Sequence, residues 1–230
     1  MLQQMMDEAT VGCYGAALNF GGIMFTLFTA LNNSWCPFFF EDMKQGNREN
    51  LREKAGNFLE LFTVLSVGFV LLASEVYRYV YVSRDFWGST MLIPIFVSSY
   101  YTNFLCTFPV NFEYYHKKTK IVSIITIVSS LINVGLNYLL ILRIGMAGAA
   151  VATLISHSLQ LTLHYLYVRF ALGGKEYPFP LKMWVGYAAV FAAVAVASVA
   201  ADGLWLARWG LGAAIGAWEL LRIRKRKVLI

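Results

Sequence analysis

The chain has 230 residues, of which 58% are hydrophobic and 14% are charged, and its mean hydropathy is +0.58. A soluble domain is about 45–50% apolar and about 25% charged, so this composition excludes an ordinary soluble protein and predicts a polytopic membrane protein. The formal net charge of +6 requires a topological explanation before a functional one, because basic loops fix the orientation of membrane helices.

Seven apolar runs are each long enough to cross a bilayer core of about 30 Å as a helix. In chain order they are predicted at 11–38, 55–79, 88–112, 119–142, 147–170, 183–201 and 204–221. We therefore predict an all-α membrane protein in which residues 1–172 form a lobe of five transmembrane helices. Residues 173–182 form a cytoplasmic loop, 183–221 two additional C-terminal helices, and 222–230 a basic cytoplasmic tail.

Lysine and arginine alternate between the two sides of the predicted bundle. Four residues lie on one side: Arg78, Arg84, Arg143 and Arg208. The other 15 of the 19 lie in the alternate loops and the tail. Because cytoplasmic loops carry an excess of basic residues, the N-terminus is predicted outside and the C-terminus inside, with Lys118 and Lys175 cytoplasmic. An odd helix count with an outside N-terminus also predicts the C-terminal part of a larger transporter; the alternative is a genuine seven-helix protein.

The fourth and fifth runs form a predicted antiparallel hairpin that turns near residue 145. Each carries polar residues at offsets of 0, 4, 7 and 11, which place them in one narrow stripe along a helix. A polar stripe at membrane depth must face protein or a water-filled cavity, because lipid cannot satisfy it. The two stripes are Thr126, Ser130, Asn133 and Asn137, and Thr153, His157, Gln160 and His164.

The stripes allow two interpretations. Asn133 and Asn137 either line a substrate path or hold two helices together by hydrogen bonds, which are worth about 0.6 kcal/mol each in membranes. His157, Gln160 and His164 either form a proton relay or head-group site or are satisfied buried side chains.

Glu60, one turn or so inside the second predicted helix, also has two interpretations. It is a candidate coupling-ion site, or it is an interfacial carboxylate near the cytoplasmic end that pairs with a loop lysine or arginine. Arg208 and Glu219, near opposite ends of the seventh predicted helix, are both expected to reach the interface along their helix ends. No residue cluster has metal-ligand spacing, and no metal or cofactor is predicted. No catalytic motif is present, so we expect a non-enzymatic protein, and nothing predicts nucleic-acid binding.

The hairpin sequence resembles a known family. The residues that carry the resemblance are Thr119-Lys120, Ile132-Asn133, Leu136-Asn137-Tyr138 and the run 145–153, GMAGAAVAT, together with the opening 11–17, VGCYGAA, and Pro37. They resemble the C-terminal half of Wzx-type oligosaccharide and polysaccharide flippases of the MOP superfamily, which also contains MATE exporters and lipid II flippases. The similarity extends over nearly the whole chain and is strongest at 119–170.

The resemblance implies a two-lobed, MATE-like transporter of the bacterial inner membrane. It implies flipping of a polyprenyl-pyrophosphate-linked oligosaccharide for surface polysaccharides such as lipopolysaccharide. The implied partners are this lipid-linked oligosaccharide, membrane lipids, a second N-terminal lobe and the polysaccharide polymerase machinery. Two alternatives stay open: a MATE-like ion-coupled multidrug exporter and a membrane scaffold subunit that transports nothing. The basic inner loops attract anionic lipid head groups or a pyrophosphate, or they only fix topology.

Overall fold

The computed structural model describes residues 2–81, 83–174, 176–200 and 203–226, and within these ranges the side chains of residues 3–218. Lys175, the side chain of Glu219 and the side chains of the predicted tail 222–230 lie outside the described part. Within it there is no β-strand. The α-helices are α1 (Leu2–Met5), α2 (Glu8–Gln45), α3 (Arg48–Val80), α4 (Ile93–Tyr115), α5 (Thr119–Ile144), α6 (Met146–Phe170), α7 (Leu181–Ala200) and α8 (Trp205–Arg226), and a 3₁₀ helix, Arg84–Leu92, precedes α4.

The first two long helices extend well beyond their predicted apolar runs because polar residues cap them. The Asp7 carboxylate accepts a hydrogen bond from the Thr10 amide at 3.3 Å and begins α2, and hydrogen bonds from Thr10 lower the pKa of Asp7. Gly46 ends α2 with a φ of +71°, a conformation that glycine adopts without steric cost. Asn47 then accepts from the Asn50 amide at 3.4 Å and begins α3 at Arg48.

Six segments of the described chain are long and apolar enough to cross a membrane, which confirms an all-α polytopic fold. They are α2, α3, the 3₁₀ helix together with α4, α5, α6 and α7. The seventh predicted span coincides with helix α8, which is not among these six.

The helices form a bundle in which α4 is central and the α5–α6 hairpin lies at one edge. α6 packs between α4 and α5, α4 packs on α2, and α3 packs on α7 and α8. The core is rich in aromatic rings from α2, α3 and α4; Phe62 and Phe104, for example, have ring centroids 4.2 Å apart. Only three side chains of α5 are buried, so most of its surface faces outward from the bundle.

The hairpin turn consists of one residue, which confirms the tight turn predicted near residue 145. Gly145 has a φ of +60° and ends α5 just before α6 begins. Three residues later, a β-carbon on Gly148 would lie 2.3 Å from the carbonyl oxygen of Leu140, so only glycine fits at this approach. The turn places the two polar stripes side by side along the hairpin.

The expectation that Arg208 reaches the interface along its helix end is wrong. Its side chain is 4% exposed, Nη1 lies 3.2 Å from Oε1 of Glu75, and Nη2 donates to the Leu71 carbonyl at 2.9 Å. The physical reason is that α8 packs on α3, where a carboxylate and a backbone acceptor compensate the buried charge.

Candidate functional site

A polar cleft of about 170 Å³ lies between the two helices of the hairpin, close to the middle of each. Its lining comes from both predicted stripes and from two further serines: Ser129, Ser130, Asn133, Thr153, Ser156, His157 and Gln160. Ser130 and its neighbour along the helix, Thr126, are exposed on the surface of the bundle. The cleft is therefore open to the outside of this bundle, although it lies halfway along two helices of membrane-spanning length.

Direct hydrogen bonds cross the hairpin beside the cleft. The Asn133 amide donates from Nδ2 to Oγ of Ser156 at 3.1 Å, and the Gln160 amide donates from Nε2 to Oγ1 of Thr126 at 3.3 Å. These bonds join α5 to α6 through Asn133 and Gln160, as the interhelical interpretation predicted for Asn133, whereas the bonds of Asn137 run to Asn133 in its own helix. The same Asn133 and Gln160 side chains also line the open cleft, so the two interpretations do not exclude each other.

Asn137 does not line the cleft but orients a residue that does. Its Nδ2 donates to the Asn133 carbonyl oxygen at 2.9 Å and to the Asn133 side-chain oxygen at 2.8 Å. Because Oδ1 of Asn133 is engaged in this way, its NH₂ group is directed toward α6. Asn137 is thus a positioning residue for the cleft.

The lining is rich in hydrogen-bond acceptors. The hydroxyl groups of Ser130 and Thr153 donate to backbone carbonyls of their own helices at 2.8 and 3.0 Å, which leaves their oxygen lone pairs toward the cleft. The buried hydroxyl of Ser129 has no hydrogen-bond partner among the described residues. A ligand that presents several hydroxyl groups would match such a surface.

His157 connects the cleft to the central helix. Its Nδ1 lies 3.0 Å from the carbonyl oxygen of Ser99 in α4, and a carbonyl can only accept, so Nδ1 carries the proton. This bond fixes the ring and leaves Nε2 for a second partner. His157 is a satisfied, half-buried histidine that also lines the cleft.

His164 does not share the cleft with His157, although both belong to one predicted stripe. Its side chain is 0% exposed and lies against α4, where Nδ1 is 2.9 and 3.0 Å from the two carboxylate oxygens of Glu113. The Nε2 atom is buried without a hydrogen-bond partner in the described part of the chain. The two histidines therefore contact different groups of α4 and are not arranged as a direct relay.

Sequence reasoning did not identify Glu113. It lies just after the predicted third span, in a segment of aromatic and basic residues that is typical of an interface. One signal could have identified it, because no other acidic residue occurs between Asp85 and Glu176. A single carboxylate next to a hairpin with two histidines in its stripe favours a buried pair.

Glu60 lies on α3, is half-buried and does not line the cleft. Because α3 begins at Arg48, before the predicted start of the span at 55, Glu60 lies about three turns inside the helix, and its role as a coupling-ion site stays a prediction. Among the described residues, no group of three or more His, Cys, Asp or Glu side chains could hold a metal ion.

The fold defines the chain as a multi-pass α-helical membrane protein. Comparison with known proteins agrees: the chain is 28% identical, over 130 residues, to an uncharacterized membrane protein of Haemophilus influenzae. The aligned residues make up 56% of this chain and 32% of that relative, so the chain spans about a third of the relative's length. No protein-family model matches the chain, and no solved structure matches it.

Proposed function

We propose that the protein takes part in flipping a polyprenyl-pyrophosphate-linked oligosaccharide across the bacterial inner membrane by alternating access, for the synthesis of surface polysaccharide. The observation that carries this proposal is the open polar cleft at the middle of the α5–α6 hairpin. Polar groups at this depth require water or protein, because lipid offers them no hydrogen bonds.

The chemistry of the cleft suits a sugar better than a cation. Its lining combines hydroxyl oxygens with the Asn133 and Gln160 amides and contains no carboxylate. Sugar hydroxyl groups donate to such acceptors and accept from amide NH₂ groups. Outside the cleft, α5 presents exposed apolar side chains such as Leu131 and Leu139, beside which a polyprenyl chain would stay in the bilayer.

The proposal includes a second helical lobe. The cleft opens at the edge of the bundle, so a hydrated route closed on all sides needs further helices beside α5. Rocking of two such lobes would expose the cleft alternately to the two sides of the membrane. The polysaccharide polymerase machinery would receive the flipped product outside.

The test uses the full protein reconstituted in liposomes that contain a fluorescent polyprenyl-pyrophosphate-linked oligosaccharide. An impermeant quencher added outside reports how fast lipid from the inner leaflet becomes accessible. We expect Asn133→Leu and Gln160→Leu to slow flipping by about tenfold, the equivalent of one lost hydrogen bond of about 1.4 kcal/mol. Asn137→Leu, which only releases Asn133, and His157→Leu are expected to slow it less.

Ser158→Ala is the matched control, because Ser158 is an exposed hydroxyl on α6 that does not line the cleft. Its flipping rate should equal that of the unchanged protein. Equal rates for all variants would contradict a role for the cleft. If the lipid is flipped no faster in liposomes with the unchanged protein than in empty liposomes, the scaffold alternative is favoured.

A second candidate function is ion-coupled multidrug export. The fully buried Glu113 carboxylate favours it, because intramembrane carboxylates mark ion pathways in transporters. Efflux of a fluorescent cationic drug from cells that depends on Glu113 and on a pH gradient would support export over flipping. Absence of such efflux, with flipping present, would support the first candidate.

A further inference from the structure

A second cavity of the described chain lies at one end of the bundle, away from the polar cleft. It has a volume of about 680 Å³, within the usual range for ligand sites. It is lined by the residue that follows α4, by the last turn of α6 and by the loop after α6: His116, Arg169, Phe170, the Gly173–Gly174 turn and Glu176. Because α4 and α6 both end here and are of membrane-spanning length, we place the cavity near the level of the lipid head groups.

Two opposite charges line this cavity without pairing. Within the described chain, Arg169 and Glu176 have no ion pair with each other, and the Arg169 guanidinium makes no hydrogen bond. As far as the described residues go, the cavity thus presents a cation and an anion that have no partner of opposite charge. His116 adds a third polar group: its Nδ1 lies 3.0 Å from the Phe112 carbonyl, which leaves Nε2 for another partner.

The backbone of the loop holds this arrangement in place. Gly173 has a φ of +68°, and a β-carbon on Gly174 would lie 2.8 Å from the carbonyl oxygen of Arg169 and 2.9 Å from its Cδ. The Gly174 amide donates to that carbonyl at 3.3 Å. Two glycines therefore let the loop turn directly against Arg169, and this turn places Glu176 at the same cavity.

One wall of the cavity is apolar. Phe170 is 80% exposed and directly follows Arg169. In a membrane, this ring meets the acyl region beside the head groups. The cavity thus combines a cation, an anion and an apolar surface. These three features are complementary to an amphiphile with a zwitterionic head group.

We propose that this cavity binds the head group of a phosphatidylethanolamine-type lipid. The phosphate contacts Arg169, the primary ammonium pairs with Glu176 and donates to Nε2 of His116, and an acyl chain lies along Phe170. The Glu176 carboxylate would repel a purely anionic head group. A choline head group has no N–H group that could donate a hydrogen bond to this carboxylate. The inference does not depend on the flipping proposal.

The test measures lipids bound to the full protein by native mass spectrometry. The purified protein is incubated with equimolar lipids of one acyl composition that carry ethanolamine, choline or glycerol head groups. We expect about tenfold preference for ethanolamine. Arg169→Gln should abolish binding of all three lipids at this site, and Glu176→Gln should abolish only the preference for ethanolamine. Arg169→Lys, which keeps the charge, should retain binding.

Arg143→Gln and Glu8→Gln are the matched controls, because both residues are exposed near the Gly145 turn, at the opposite end of the bundle. They should leave the preference unchanged. Equal retention of the three lipids, or a preference that survives both Arg169→Gln and Glu176→Gln, would overturn the proposal. Binding of soluble phosphoethanolamine as tight as that of the lipid would overturn the lipid as its ligand. If Arg169→Gln does not fold, Glu176→Gln alone decides between these outcomes.

Discussion

At the scale of single residues, Glu113 and His164 form a fully buried contact between α4 and α6. Both side chains are 0% exposed, and the carboxylate oxygens lie 2.9 and 3.0 Å from Nδ1. Isolated buried polar and charged groups cost several kcal/mol, so either side chain would be unfavourable at this position without the other. Each residue therefore compensates the burial of the other and joins α4 to α6.

We predict strong coupling between these two residues. Glu113→Leu or His164→Leu alone leaves one buried group without its partner and should lower the free energy of unfolding by about 3–5 kcal/mol. The double variant removes both groups and should lose less than the sum of the two single changes. Unfolding in mixed micelles measures all four proteins. Ser129→Ala, at a buried hydroxyl without a described partner, is a control that should change little, and additive losses would contradict the coupling.

At the scale of elements, α8 is attached to α3 by the buried Arg208. The guanidinium lies 3.2 Å from Glu75 and donates to the Leu71 carbonyl at 2.9 Å. We predict that Arg208→Leu detaches α8 without unfolding the rest, because the hairpin and α2 do not depend on this contact. Hydrogen exchange at 205–218 should accelerate about tenfold, the equivalent of about 1.4 kcal/mol of local opening.

The exchange of α5 and α6 in the same sample is the internal reference and should not change. Arg143→Leu, at an exposed arginine in the last turn of α5, is the matched control for loss of an arginine. Unchanged exchange of α8 in Arg208→Leu would show that apolar packing alone attaches this helix. In the double variant Arg208→Leu with Glu75→Leu, hydrogen exchange of α8 should be slower than in Arg208→Leu alone. The reason is that the double variant leaves no unpaired carboxylate on α3.

The presence and positions of the helices could be predicted from the sequence better than their contacts. Runs of apolar residues and the polar stripes predicted the helices and the hairpin, because bilayer thickness and helical period restrict both directly. The ends of α2 and the start of α3 were not predicted, since caps such as Asp7 and Gly46 lie among polar residues outside the apolar runs. The start of α5 at Thr119 and the end of α6 at Phe170, by contrast, were predicted. The partner of a side chain was not predictable either. His157 and His164 share a stripe and both contact α4. There His157 lies against the Ser99 carbonyl and His164 against the Glu113 carboxylate.

At the scale of the whole molecule, the two ends of the bundle carry different charged residues. α5 has 26 residues and is about 39 Å long, so its two ends lie on opposite sides of a hydrocarbon core of about 30 Å. Lys118 directly precedes α5 and Arg143 lies in its last turn. The cavity with Arg169 lies at the Lys118 end, because α4 and α6 end there. An experiment that shows on which side of the membrane Lys118 lies therefore also shows in which leaflet the proposed lipid cavity lies.

We predict that the Lys118 end is cytoplasmic, because the loops at this end carry most of the lysine and arginine. In a variant without Cys13, Cys36 and Cys106, a cysteine at Lys118 should react with an impermeant thiol reagent only after the cells are opened. A cysteine at Arg143 should react in intact cells. Leu131→Cys is the control for the membrane interior, since Leu131 is 68% exposed on the bundle yet lies midway along α5 and should react from neither side. Labelling of Lys118→Cys in intact cells would reverse the orientation and place the lipid cavity in the outer leaflet.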